Sequence, residues 1–264
     1  MFFPDKAINN IGVRPTPAVA RAAPASCSIA VFGASGATGS EAVLQALERG
    51  EDVTCLVRDT SKLANPRTGA KFDADKVAVT QGSVTNKADV DAVFAASKVS
   101  GVVVALGGKT KDVGPTMLED GTRNIIEACK ANGVKRISVV TTIGAGDSMD
   151  QAPWAFRLLM MTVMSSIMAD KNQQEGLFLN GPGADLEYCL VRPGGLKTEP
   201  PSGIINVIDG EAGSISRADV AAFCLDAVMQ EDFAYIKKAP CISSNKGSGF
   251  DSILKDKTQQ RMGN

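Results

Sequence analysis

The chain has 264 residues, of which 44% are hydrophobic and 22% charged, a balance that suits one globular domain with a full core. Its net charge of −1 and pI of about 5.7 give no global basic field for nucleic acid. It contains no histidine, which excludes Ser-His-Asp and Cys-His triads and any His-ligated metal, so no metal site is expected.

Residues 1–26 are rich in Ala, Pro and Arg, hold no acid after Asp5 and lack hydrophobic periodicity. That composition fits an organelle transit peptide, plastid-type in flavour, with a disordered tail on a cytoplasmic protein as the alternative. From Ser28 onward apolar strands alternate with helical patterns. The strands expected are Ser28–Phe32, Asp52–Arg58, Lys76–Thr80, Gly101–Leu106, Arg136–Thr142 and Leu186–Val191. Helices are expected over Ser40–Arg49, Lys87–Ala96, Pro115–Asn132 and Trp154–Leu179. Buried β-branched runs separated by helices predict parallel strands joined by right-handed crossovers. The fold class is therefore α/β, a single Rossmann-type domain with a doubly wound, mainly parallel sheet. In "SISRADVAAFCLDAV", Ser216 can cap a further helix and Asp219 can return the bond. The domain is expected to span residues 27–245, followed by a polar Gly/Lys-rich tail over 246–264.

Pro153–Ala169 is the most apolar segment, interrupted by Arg157 and too short for a comfortable membrane span. It reads as a helix covering a pocket or a protein partner. Its Met160, Met161, Met164 and Met168 suit either core packing or an adaptable wall for a flat substrate. The six cysteines show no C-x-x-C pairing, and several lie in apolar runs, as buried reduced thiols would.

The chemistry begins at "VFGASGATGSEAV". Gly33, Gly36 and Gly39 follow a strand and precede a helix, with Ser35, Ala37 and Thr38 between them. Lacking Cβ atoms, such a turn lets backbone N–H groups approach a ligand, and the helix start adds unsatisfied donors and a positive dipole end. A pyrophosphate fits there, which makes this a dinucleotide fingerprint. The next strand ends in "CLVRDTSK". An acid there would bind the two ribose hydroxyls of NAD, whereas Arg58, backed by Lys62, suits the extra phosphate of NADP. Asp59 follows immediately and tempers that preference.

"FGASGATG", "LVRD", "VTQGSVTN", "VVVALGG", "GTRNIIEACKANGVKRISVVTT", "DLEYCLVRPGGL" and "ISRADVA" stand in the order and spacing of the atypical short-chain dehydrogenases. The chain most resembles their NAD(P)H-binding, NmrA-like group, which includes flavin/biliverdin-IXβ reductases and plastid NADPH-binding proteins. The resemblance implies that Gly82, Ser83 and Val84 flank the adenine and that Ala105, Leu106 and Gly107 lie along the adjoining ribose. It further implies Thr141 and Thr142 near the nicotinamide, with Arg192, Pro193, Gly194 and Gly195 over that end.

Most short-chain dehydrogenases share a Tyr-x-x-x-Lys pair. Lys171 has about the spacing from Arg192 expected of that lysine, but Ile167 stands four residues before it. Tyr188 and Tyr235 are followed at that spacing by Arg192 and Ala239. Reducing a ketone leaves an alkoxide that needs a positioned acid, so a carbonyl dehydrogenase is disfavoured. The expectation is an NADPH-dependent oxidoreductase passing hydride to a flavin-, quinone- or tetrapyrrole-like acceptor that can take its proton from water. Thr142 and Lys171 are its candidate catalytic residues, against local hydrogen bonding for Thr142 and a surface ion pair with Glu175 for Lys171. The alternative is a non-catalytic NADPH-binding redox sensor or assembly factor, partnered through Pro153–Ala169.

Overall fold

The computed structural model describes residues 27–107 and 115–244. The expected presequence and the polar tail lie outside those residues. Among the described residues ten strands run in chain order: β1 Ser28–Phe32, β2 Asp52–Val57, β3 Val77–Gln81, β4 Val99–Val104, β5 Arg136–Val140, β6 Glu187–Pro193, β7 Gly195–Lys197, β8 Asn206–Val207, β9 Ser214–Ser216 and β10 Cys241–Ser243. The helices are α1 Ala37–Glu48, α2 Lys87–Ala96, α3 Met117–Ala131, α4 Trp154–Met161, α5 Ser165–Leu179 and α6 Arg217–Met229.

Eight strands form one sheet in the order β3-β2-β1-β4-β5-β6-β10-β8, parallel throughout except for β8 against β10. Side chains alternate across each strand, so a strand covered on both faces must be apolar at every position. In β1, Ile29 and Val31 pack with Ala42, Val43 and Ala46 of α1 and with Val220 and Phe223 of α6. Ala30 and Phe32 point the other way, to Val90 and Phe94 of α2, Ile125 of α3 and Phe178 of α5. The sheet thus lies between two helical layers. From β1 the chain runs outward through β2 to β3, then returns to place β4 on the other side of β1. That reversal opens a crevice beyond the carboxyl ends of β1 and β4, where ligands of doubly wound sheets bind.

The expected long helix over Trp154–Leu179 is two helices. The backbone leaves helical geometry at Thr162, where φ is −110° and ψ −83°. There the Thr162 hydroxyl donates to the Leu158 carbonyl at 2.8 Å, and the Met164 N–H reaches back to the Leu159 carbonyl at 3.1 Å. A threonine hydroxyl competing for the preceding turn's carbonyl bends or ends a helix, and the apolar run through the break hides it from periodicity. Capping of α6 also departs from expectation. Ser216 Oγ accepts the Asp219 N–H at 2.9 Å, but the Asp219 carboxylate accepts from the Ser216 hydroxyl and from the Ser202 and Gly203 N–H groups. Asp219 therefore anchors the 202–203 loop rather than the Ser216 backbone.

Candidate dinucleotide-binding site

A cleft of about 1150 Å³ occupies the crevice. Its floor begins at the glycine turn. Gly33 has φ +85°, and a Cβ there would stand 2.4 Å from the Ala105 carbonyl oxygen, so only glycine lets β1 turn this close to the end of β4. At Gly39 a Cβ would lie 2.1 Å from the Gly33 oxygen, inside van der Waals contact of the turn itself. Gly36 has ordinary extended dihedrals and caps α1 without a side-chain bond. The opening N–H groups of α1 are thus left to the cleft, which Ser35, Gly36, Ala37 and Thr38 line. The turn is a cradle with its donors facing outward.

The side expected to take the adenosine lies at the ends of β2 and β3. Arg58 and Lys62 line the cleft there, with Gly82, Ser83 and Val84 opposite. Asp59, which tempers the expected NADP preference, is occupied elsewhere: its carboxylate accepts from the Ser61 hydroxyl at 2.6 Å and the Ser61 N–H at 3.0 Å. Those bonds hold its carboxyl below the usual range. Gly82 is small because Asp89 packs beside it, a Cβ meeting that carboxylate at 2.5 Å while Asp89 accepts the Ser83 N–H at 2.8 Å.

At the other end the cleft is lined by Ala105, Leu106, Gly107, Thr141, Thr142 and Lys171. Lys171 is only 6% exposed. Its ammonium donates to the carbonyls of Val140 at 2.8 Å and Leu106 at 3.4 Å and to Gln174 Oε1 at 3.1 Å. Three donors meet three acceptors, and the bonds tie the end of β4 to the end of β5. Burial pulls the Lys171 pKa down to about 8, with Glu175 and Asp170 opposing the shift. The expected alternative for Lys171, a surface pair with Glu175, does not occur. Glu175 is 1% exposed and accepts from the Thr141 hydroxyl at 2.7 Å and from Arg192 at 3.0 and 2.6 Å.

Arg192 therefore does not line the cleft. Its guanidinium forks onto Glu175 and reaches Asp147 at 2.5 Å, a site that stabilises the charged form and raises its pKa. Pro193, Gly194, Gly195 and Gly39 are also outside the lining. Gly194 instead lets the 213 backbone approach, its Cβ position lying 2.2 Å from the Gly213 oxygen. The next residue, Leu196, does line the cleft.

The sequence names the lining residues at this end but not the side chains that hold them. Asp170 accepts the N–H groups of Leu118 and Glu119 at 2.9 Å each, capping α3, and Gln174 donates to Thr122 at 2.8 Å. Asn172 holds the Gly146 N–H at 2.9 Å. Of the four methionines, Met160 and Met168 are core, Met161 is exposed, and only Met164 joins Ile167 on the cleft wall. Ile167 occupies the place one helical turn before Lys171, so the wall is apolar there.

A glycine turn, a capless helix start and a crevice at the switch point define a nucleotide-binding protein. The chain belongs to the NAD(P)H-binding family, whose model matches residues 33–231. It is 32% identical over 217 residues to an uncharacterized chloroplastic protein of Arabidopsis thaliana, covering 78% of this chain and 73% of that one. Among solved structures it is similar to ChuY, an anaerobillin reductase from Escherichia coli O157:H7, with a TM-score of 0.65, 22% identity and coverage of 84% and 100%. It is also similar to a short-chain dehydrogenase/reductase from Veillonella parvula solved with NADP, with a TM-score of 0.66, 16% identity and coverage of 85% and 97%.

Proposed function

We propose that the protein is an NADPH-dependent oxidoreductase acting on a flavin-, quinone- or tetrapyrrole-like acceptor. The observation that carries this reading is the character of the reacting end: Ile167 stands where a proton-donating tyrosine is absent, and the nearby Lys171 has its donors engaged by Val140, Leu106 and Gln174. A carbonyl substrate would find no positioned acid, whereas a delocalised acceptor takes its proton from water. The residues fit the coenzyme: the outward donors after Gly36 suit its diphosphate, and Arg58 with Lys62 suits a 2′-phosphate. Bound there, the coenzyme supplies hydride. Thr142 and Lys171 serve the nicotinamide end, Lys171 by fixing the strand ends and Thr142 by its place on the wall. Met164 and Ile167, with Ser166 between them on the wall, present apolar surface that favours a flat, unsaturated partner.

The test combines a direct NADPH titration with NADPH oxidation in the presence of FMN, a quinone or a linear tetrapyrrole. Turnover with one of them, lost in Arg58→Ala, is the expected result; tight binding without turnover retires the enzyme reading. One observation favours the second reading, a non-catalytic NADPH-binding subunit. Trp154, Leu158 and Met161 of α4 and the adjoining Val163 are 59–78% exposed, a surface that a protein partner would cover. We further place the protein in the plastid, a reading supported by the composition of residues 1–26 and by the chloroplastic relative; targeting of a reporter by those residues tests it.

A further inference from the structure

We propose that Arg217, at the start of α6, is a specificity-determining ligand of the phosphate that distinguishes NADPH from NADH. This rests on the coenzyme reading above and deepens it. A side pocket of about 320 Å³ opens behind the glycine turn, between the first turn of α1, the 62–66 loop and the start of α6. Its wall shares Ser35, Ala37, Lys62 and Arg217 with the main cleft, so the two spaces adjoin at the adenosine end.

Charge decides what that junction accepts. The pocket's two carboxylates are already paired, Glu41 with Arg67 at 3.2 Å and Glu199 with Lys197 at 3.6 Å. Its cations are less committed. Lys62 is largely exposed and stands 3.5 Å from Asp59, whose carboxylate is bonded more closely to Ser61. Arg217 donates to Thr198 Oγ1 at 2.9 Å and to the Leu196 carbonyl at 3.4 Å, both through Nη1. Among the described residues this leaves Nη2 and Nε for a ligand. Those bonds also hold the guanidinium in place, so an oxyanion meets an oriented fork rather than a free chain. Lys62 lines both spaces with Arg217, whereas Arg58, at the end of β2, lines the main cleft alone. A phosphate on the adenosine ribose at the junction would then meet Lys62 and Arg217 together.

The experiment titrates the whole protein with four probes: NADPH, NADH, adenosine 2′,5′-bisphosphate and 5′-AMP. Arg217→Gln should weaken NADPH and the bisphosphate about 10-fold, the loss of one charge-assisted contact, and leave NADH and 5′-AMP within about twofold. Arg217→Lys should recover part of the discrimination at an unchanged thermal midpoint. Equal loss for phosphorylated and unphosphorylated probes, or no loss at all, overturns the proposal. If Arg58→Gln abolishes discrimination while Arg217→Gln keeps it, the coenzyme reading stands and this one falls. Failure of the unsubstituted protein to bind any dinucleotide overturns both.

Discussion

Gly36 and Gly39 sit in one motif but answer to different constraints. A side chain at Gly39 must displace the Gly33 carbonyl, 2.1 Å from the Cβ position, so Gly39→Ala is expected to lose about 2 kcal/mol or more in urea unfolding. Gly36 has allowed dihedrals for any residue, and its Cβ would stand 3.2 Å from the same oxygen. Gly36→Val should therefore keep most of the folding stability while raising the NADPH dissociation constant at least ~10-fold, because the bulk enters the cleft at the donors themselves. Thermal melting beside the titration separates the two variants. These glycines were legible in the sequence because a tight strand-to-helix turn is a local requirement, written in consecutive residues. Arg58 was legible for the same reason, standing at the end of a recognisable strand. Arg192 was not: its partners Glu175 and Asp147 come from segments far along the chain, and only the fold shows that its fork is used up inside.

Helix α5 shows why an element can be visible while its work is not. Its inward face carries Asp170, Lys171, Gln174 and Glu175 beside Leu177 and Phe178, so hydrophobic periodicity finds no clean stripe. Each polar group is matched to a neighbouring element: α3 for Asp170, β4 and β5 for Lys171, β6 for Glu175. Removing one member of such a buried pair leaves the other uncompensated. Glu175→Ala should cost about 3 kcal/mol, read as a lower urea midpoint, since Arg192, with 5% of its side chain exposed, keeps only the solvent-exposed Asp147 as a partner. The exposed pair Lys87–Asp91 offers the contrast: Asp91→Ala should change the midpoint by less than about 0.5 kcal/mol.

Across the molecule, the parallel sheet was legible because burial on both faces writes continuous apolar runs, as at β1, β2 and β4. The outer strands β7 to β10 are two or three residues long and carry no such run, and their pairing depends on loops such as the one anchored by Asp219. Buried thiols give the whole fold a common titration. Burial pushes Cys55, Cys129 and Cys224 from 9.0 up to about 12, and Cys189 well above its ordinary value. Folded pKa values above the unfolded one mean stability present below pH ~9 and lost progressively from there towards pH 12. Lys171 acts oppositely: with its folded pKa lowered from 10.5 to about 8, the unfolded chain holds more protons between those values, and stability gains as pH rises through them. Burial raises Cys241 as well, and one lysine against five thiols leaves a net decline above pH ~9. Urea midpoints measured from pH 7 to 11 should show it, with a shallower slope in Cys224→Ala.

The ammonium of Lys171 has a wider consequence. By clasping carbonyls at the ends of two neighbouring strands, it fixes α5 to the sheet beside the cleft, on the same helix that carries Ile167 to the wall. Ile167 and Lys171 stand one turn apart on that helix, so the apolar patch of the wall and the clasp on the strand ends belong to one rigid element. Repacking beneath α5 therefore shifts the floor and the wall of the crevice together.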